Sequence, residues 1–302
     1  SFFTFQIMSY TIDVYRKNVP AQSNVLKLAL YISLFPQLIA GPIVRYIDVA
    51  NELTSRTYDV DSVFRGVTRF TVGLAKKVII SNTVAQLADQ IFELDPTGIS
   101  AATAWLGAIA YTLQIYFDFS GYSDMAIGMG DMLGFHFCEN FNYPYISASV
   151  QDFWRRWHIS LSTWFKDYLY IPLGGNRRGN LRTYLNLLIV FACTGFWHGA
   201  SFNFLAWGLY HGFFLVIERI GLRKLLNRLP RAVGRFYTMV VVIVGWVLFR
   251  ADTLSVAWQY ICSMFRFTDW GWIRAVSQLE GYSLLILVLG IVFSIPWVPK
   301  LK

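Results

Sequence analysis

Leu187-Leu188-Ile189-Val190-Phe191-Ala192-Cys193-Thr194-Gly195-Phe196-Trp197-His198-Gly199-Ala200-Ser201 is a long apolar run that ends on an ionisable imidazole. The chain has only four histidines. Groups that can charge are expensive in hydrocarbon, so a histidine at membrane depth is a candidate for chemistry. The same run decides the fold class. With Arg182 before it and Arg219 after the next apolar stretch, it reads as one arm of a helical hairpin turning at Gly199-Ala200-Ser201, both basic ends on one side. Arg182 and His198 are 16 positions apart, about 24 Å of helix at 1.5 Å per residue, which carries His198 most of the way across a ~30 Å hydrocarbon core.

The composition agrees with a membrane setting. Of 302 residues 55% are hydrophobic, 18% aromatic and 15% charged, whereas a soluble domain carries about 25% charged residues. Ile99–Phe119, Tyr184–Ala200, Phe202–Ile217, Phe236–Phe249 and Tyr282–Val298 are further candidate crossings, each approaching the ~20 residues a span needs. A net charge of +8 raises the question of nucleic acid. The cations, however, gather where apolar runs end: Arg65, Arg69, Lys76 and Lys77; Arg155 and Arg156; Arg177, Arg178 and Arg182; Arg219 through Arg235. That is the pattern of the positive-inside rule, and no nucleic-acid partner is expected. Cys138, Cys193 and Cys262 are an odd, widely spaced set that indicates neither a disulfide framework nor a zinc cage. No metal is expected.

Taking basic clusters as cytoplasmic gives a topology. Val25–Tyr46 is interrupted by Pro36 and Gly41-Pro42 and predicts a broken or re-entrant helix. Asp61–Leu94 predicts an interfacial helix leading into a short outward crossing, and Ile99–Phe119 returns inward. Between Gly121 and Asn180 aromatic and basic residues interleave, which predicts short helices at the cytoplasmic interface. Phe236–Phe249 runs outward and Tyr282–Val298 returns to Lys300 and Lys302. The opening residues, Ser1-Phe2-Phe3-Thr4-Phe5-Gln6, read as the inside of a helix, so a fragment lacking N-terminal helices is expected. Residues 1–302 are expected to form a single all-α domain with no internal repeat.

A neutral His198 imidazole at depth can act as a general base toward a hydroxyl; a hydrogen bond to a neighbouring helix is the structural alternative. His158, in Asp152-Phe153-Trp154-Arg155-Arg156-Trp157-His158-Ile159-Ser160, is either an interfacial histidine facing headgroups or a partner to His198. His211 is expected to pack and hydrogen-bond within the return helix. His136 with Cys138 and Glu139 matches no common zinc spacing. Asp118 and Asp124 end an apolar span; Asp124 and Asp131 share a helix face, and Gly121, Gly128 and Gly130 would let another helix approach closely. A helix cap at Asp118 or Ser120 and a cation or proton path are both open. No Gly-x-Ser-x-Gly elbow and no His-Glu-x-x-His occurs.

Three stretches carry a family resemblance: Asp152 to Ser162, Tyr168-Leu169-Tyr170-Ile171-Pro172-Leu173-Gly174-Gly175-Asn176-Arg177, and Gly195-Phe196-Trp197-His198-Gly199-Ala200. Together they closely resemble the membrane-bound O-acyltransferase family, in its bacterial alginate O-acetyltransferase branch; Ser1–Arg16, Phe35–Tyr46, Tyr116–Gly130 and Trp207–Gly212 look like further motifs of it. The resemblance implies a multi-pass helical bundle around a central pore in the bacterial inner membrane, with His198 catalytic and His158 a second functional histidine. It implies acyl transfer from a cytoplasmic thioester, acetyl-coenzyme A being the expected donor, to a hydroxyl on an extracytoplasmic partner protein or envelope polysaccharide. No bound cofactor is implied. Asp118, Asp124 or His158 would orient or support the site, and Arg155, Arg156, Lys166, Arg177 and Arg178 would attract donor phosphates. A transporter using Asp118, Asp124 and Asp131 as an ion site and a scaffold subunit of an envelope-modification complex are the alternatives.

Overall fold

The computed structural model describes residues 2–37, 41–57, 59–267, 271, 272, 275, 277 and 279–297. Among them every regular element is helical. The first half comprises α1 (Phe2–Tyr15), α2 (Val25–Ser33), α3 (Tyr46–Val49), α4 (Val60–Ala75), α5 (Asn82–Phe92), α6 (Ala101–Met132) and α7 (Val150–Arg156). Then follow α8 (Ile159–Phe165), α9 (Asn180–His198), α10 (Phe202–Ile217), α11 (Arg223–Leu226), α12 (Arg231–Arg250), α13 (Leu254–Met264) and α14 (Gly281–Phe293). Three segments widen into π-helix: Lys76–Ser81 after α4, Lys166–Tyr170 after α8 and Glu218–Leu222 after α10.

Side-chain caps start several of these helices where the sequence offers a short polar residue. Asn24 accepts from the backbone N–H groups of Leu26 and Lys27 at the head of α2, and Ser201 accepts from Asn203 N–H at the head of α10. Asp59 accepts from Ser62 N–H at 2.5 Å at the head of α4. That bond holds the Asp59 carboxyl below the ordinary carboxylate range.

The helices form two compact units, Ser1–Lys77 with Asp118–Asn142 and Arg156–Pro172, and Val78–Phe117 with Tyr143–Arg155 and Leu173–Lys302. The core of the first gathers Tyr31, Val44, Val49, Ile127 and Phe135, all nearly or fully buried. The core of the second gathers Ala104, Ala108, Val247, Tyr260 and Met264 from α6, α12 and α13.

The expected hairpin is present, α9 and α10 joined by Gly199–Ser201. The stretch Val25–Tyr46 is broken, with α2 ending at Ser33 and a 3₁₀ turn at Phe35–Gln37; residues 38–40 of it, and Lys300 and Lys302, lie outside the described residues. One expectation needs correction. The span expected to end at Phe119 continues as helix to Met132, with its acidic residues Asp118 and Asp124 paired with cations of another segment. Of the candidate crossings, only α12 among the described residues is both long and apolar enough by itself, at 20 residues and mean hydropathy 1.9. Helices α10 and α14 are shorter, at 16 and 13 residues.

Candidate functional site

The α9–α10 hairpin is closed by glycines. A Cβ on Gly195 would lie 2.2 Å from the carbonyl oxygen of Phe204, and one on Gly208 would lie 2.1 Å from that of Phe191, so neither position has room for a side chain. This contact brings the last residue of α9, His198, among the rings of its own unit. Its imidazole centroid lies 4.7 Å from Trp197, 5.1 Å from Trp207, 5.2 Å from Phe249 and 6.3 Å from Phe204. His198 is half-buried, and among the described residues no group hydrogen-bonds its imidazole. The alternative reading of His198 as a hydrogen-bonded tie between helices thus finds no partner there, whereas an aromatic enclosure around a partly open imidazole suits a base that meets a substrate hydroxyl.

His158 is almost fully buried, at 2% exposure, rather than facing headgroups. It precedes α8 with φ 44° and ψ 56°, a left-handed conformation uncommon for a residue with a side chain. Its Nδ1 meets the side-chain oxygen Oδ1 of Asn140 at 3.0 Å, and Phe119 packs edge-on at 4.6 Å. Asn140 is itself fully buried and also bonds Ser160 and Ser123.

The carboxylates of α6 face cations of α4 and of the π-helical turn that follows it. Asp124 binds Arg69 at 3.0 Å and Lys76 at 2.5 Å, Asp118 pairs with Lys77, and Arg69 extends the chain to Glu139 at 2.5 Å. Gly66 and Gly73 of α4 sit against Gly128 and Gly121 of α6, as their spacing predicts. Gly130 does not serve a helix contact; it lies against the Phe137 ring. The cap reading of Asp118 gives way to an ion pair inside a longer helix. His136 bonds Glu52 at 2.8 Å while Glu139 is held by Arg69, so His136, Cys138 and Glu139 do not converge on a common point.

The expected donor-binding cations lie at the surface. Arg155, Lys166, Arg177 and Arg178 are exposed and Arg156 is half-buried, its guanidinium donating to the Asn142 carbonyl at 3.2 Å. Arg177 and Arg178 belong to the turn between Leu173 and Gly179, in which Gly174, Gly175 and Gly179 take positive φ. Buried Asn186 of α9 donates to the carbonyls of Leu173 and Gly175, and Thr183 donates to Gly179, so α9 fixes the loop that presents both arginines. Arg155 sits in α7, whose first N–H groups, from Val150 and Gln151, donate to the Glu218 carboxylate at 2.6 and 3.1 Å.

His211 lies in α10 with no exposure and, among the described residues, no polar partner; the hydrogen bond expected for it is absent, and Trp154, Trp207 and Tyr210 enclose it at 5.1 to 5.3 Å. Sequence reasoning passed over Asn140, Ser160, Asn186 and Glu218. Only Glu218, an acidic residue where an apolar helix meets a basic segment, leaves any local trace.

The sequence model described as MBOAT, membrane-bound O-acyltransferase family, matches residues 15–256. The chain is 52% identical over 295 residues to the probable alginate O-acetylase AlgI of Pseudomonas aeruginosa, covering 96% of this chain and 55% of that protein. It is 39% identical over 294 residues to the peptidoglycan O-acetyltransferase of Helicobacter pylori, covering 87% of this chain and 56% of that protein. Similarity extends to the teichoic acid D-alanyltransferase of Bacillus subtilis, 29% identical over 228 residues, covering 70% of this chain and 56% of that protein. The chain spans about half the length of the curated relatives it matches.

Proposed function

Because the chain belongs to the membrane-bound O-acyltransferase family, we propose that it is the histidine-bearing part of an integral membrane enzyme that moves an acyl group onto a hydroxyl of the cell envelope. The observation that carries this reading is His198, at the end of α9, its imidazole half-buried among Trp197, Trp207 and Phe249 without a polar partner among the described residues.

In the proposed reaction His198 accepts the proton of the acceptor hydroxyl as its oxygen attacks the thioester carbonyl. The new C–O bond forms, the C–S bond breaks, and the thiolate leaves to be protonated. The donor is an acyl thioester on the cytoplasmic side, with acetyl-coenzyme A the expected one, since two of the relatives are named for acetyl transfer. His158 is a second histidine on which the reaction depends. Arg155, Arg156, Lys166, Arg177 and Arg178 attract the donor's phosphates, the last two from a loop that α9 holds in shape. The acceptor is an envelope polysaccharide, reached directly or through an extracytoplasmic partner protein.

The same reading makes residues 1–302 part of one multi-pass domain of the bacterial inner membrane, wrapped by lipid, with re-entrant and interfacial helices around a pore where donor and acceptor meet. Asp118 and Asp124 are occupied by Lys77, Arg69 and Lys76, which argues against their serving as a transporter's open cation site.

The test is His198→Ala in the full-length protein, with O-acetyl groups measured on the envelope polymer and membrane expression checked. Acyl transfer is expected to fall by on the order of 10²- to 10⁴-fold, the usual contribution of a positioned base. Retained acetylation at normal expression overturns the mechanism.

A further inference from the structure

We propose that Asn140 is a positioning residue that fixes the tautomer of His158, holding the proton on Nδ1 and leaving the acceptor lone pair on Nε2. The inference rests on the reading that His158 is a functional histidine of the acyl transfer.

The orientation of the Asn140 amide follows from backbone groups whose roles are not in doubt. One terminal atom faces the backbone N–H of Ser160 at 3.3 Å, so it is the carbonyl oxygen. The other faces the carbonyl oxygen of Gly41 at 3.4 Å and the Ser123 hydroxyl at 3.0 Å, so it is the amide nitrogen. An N–H donor must stand opposite a carbonyl oxygen, and His158 Nδ1 stands opposite Oδ1 at 3.0 Å. In a neutral imidazole one nitrogen carries the proton and the other the lone pair, so the lone pair belongs to Nε2.

The neighbouring hydroxyl reinforces this assignment. Ser160 Oγ accepts the backbone N–H of Ile43 at 2.9 Å and donates its own proton to Asn140 Oδ1 at 2.9 Å, leaving it no second proton for His158 Nδ1, 3.5 Å away. The backbone carbonyl of Asn140 accepts Ile159 N–H at 3.0 Å, so main chain and side chain of Asn140 are both tied to the start of α8. Asn140 and His158 are both buried, at 0% and 2% exposure, so bulk water does not compete for these bonds. The left-handed backbone at His158, φ 44°, is the turn that brings Nδ1 back toward Asn140. Residues in such conformations persist where their surroundings over-determine them, and they cluster at functional sites.

The experiment uses full-length protein labelled with ¹⁵N-histidine and reconstituted in lipid, with solid-state NMR reading which ring nitrogen bears the proton. The His158 signals are assigned by difference from His158→Gln. The expected result is protonated Nδ1 and unprotonated Nε2 in the wild type. Nε2–H there overturns the assignment whatever the activity. Asn140→Ala is expected to lose that preference and to lower kcat by on the order of 10²-fold with KM little changed, the scale of one acid–base contact. Asn140→Asp keeps an oxygen at the Oδ1 position but loses the donor to the Gly41 carbonyl, and is expected to recover part of the loss. Equal losses in the two variants, or an unchanged tautomer in Asn140→Ala, overturn the positioning role. Full activity in His158→Gln would instead remove the functional reading of His158 while leaving the tautomer assignment standing, so the two failures are separable.

Discussion

A Cβ on Gly73 would lie 2.5 Å from the carbonyl oxygen of Gly121, which puts the backbones of α4 and α6 in direct contact. Gly66 and Gly128, seven residues away on each helix, repeat the same 2.5 Å approach. Backbone cannot yield as a side chain can. Gly73→Ala and Gly66→Ala should each destabilise the protein by roughly 1–3 kcal/mol, the usual cost of overpacking. Gly130→Ala, whose Cβ would meet the Phe137 ring at 2.8 Å and backbone only at 3.1 Å, the Phe135 carbonyl, should cost less. Thermal unfolding in detergent or nanodiscs checks the order, and an unchanged midpoint for Gly73→Ala would contradict the close packing.

The two acidic residues of α6 should differ in weight. Asp124 has a side chain 17% exposed and two cations, whereas Asp118 is 47% exposed with Lys77 alone. Asp124→Asn leaves half-buried Arg69 and Lys76 short of an acceptor, for a loss of roughly 1–3 kcal/mol. Asp118→Asn breaks an exposed pair and should cost less than about 1 kcal/mol. Equal effects would show that exposure does not set their contribution.

Glu218 caps α7 from a buried position, and burial holds its carboxyl above the ordinary range despite the two N–H groups it accepts. Folding therefore favours its protonated form. Its contribution to stability is fullest below the unfolded pKa and declines as pH rises through the raised folded value. Glu218→Ala should cost roughly 1–3 kcal/mol by leaving both N–H groups without acceptors. Glu218→Gln should cost less and flatten the decline of the unfolding midpoint with rising pH; an unaltered slope would refute the linkage.

His211 and His198 should part company under mutation. Buried His211 makes no described hydrogen bond and presses Nε2 toward Gly245, where a Cβ would lie 2.6 Å away. His211→Leu, close in volume and without polar atoms, should stay within about 1.5 kcal/mol of the wild type and retain O-acetylation. Loss of activity in a folded His211→Leu protein would give that histidine a chemical role.

Much of this arrangement is legible in the sequence because it is written in local periodicity. Arg182 and Arg219 bracket the α9–α10 hairpin, and the heptad spacing of Gly121 and Gly128 marks the face that α4 covers. The end of α6 was not legible, since Asp118 and Asp124 look like a terminus until Lys77, Lys76 and Arg69 from another helix neutralise them. Asn140 is silent for a similar reason. Its meaning lies in His158, 18 residues further on, and in the Gly41 carbonyl, 99 residues back.

The π-helical turn at Lys76–Ser81 takes about one residue more than an α-turn would. Such a turn absorbs a single extra residue, so a one-residue deletion among Val78, Ile79 and Ile80 can be taken up by closing to regular α-helix. The constrained positions in it are Lys76 and Lys77, whose ammonium groups pair with Asp124 and Asp118. Residue identity at the start of this turn therefore matters more than its length.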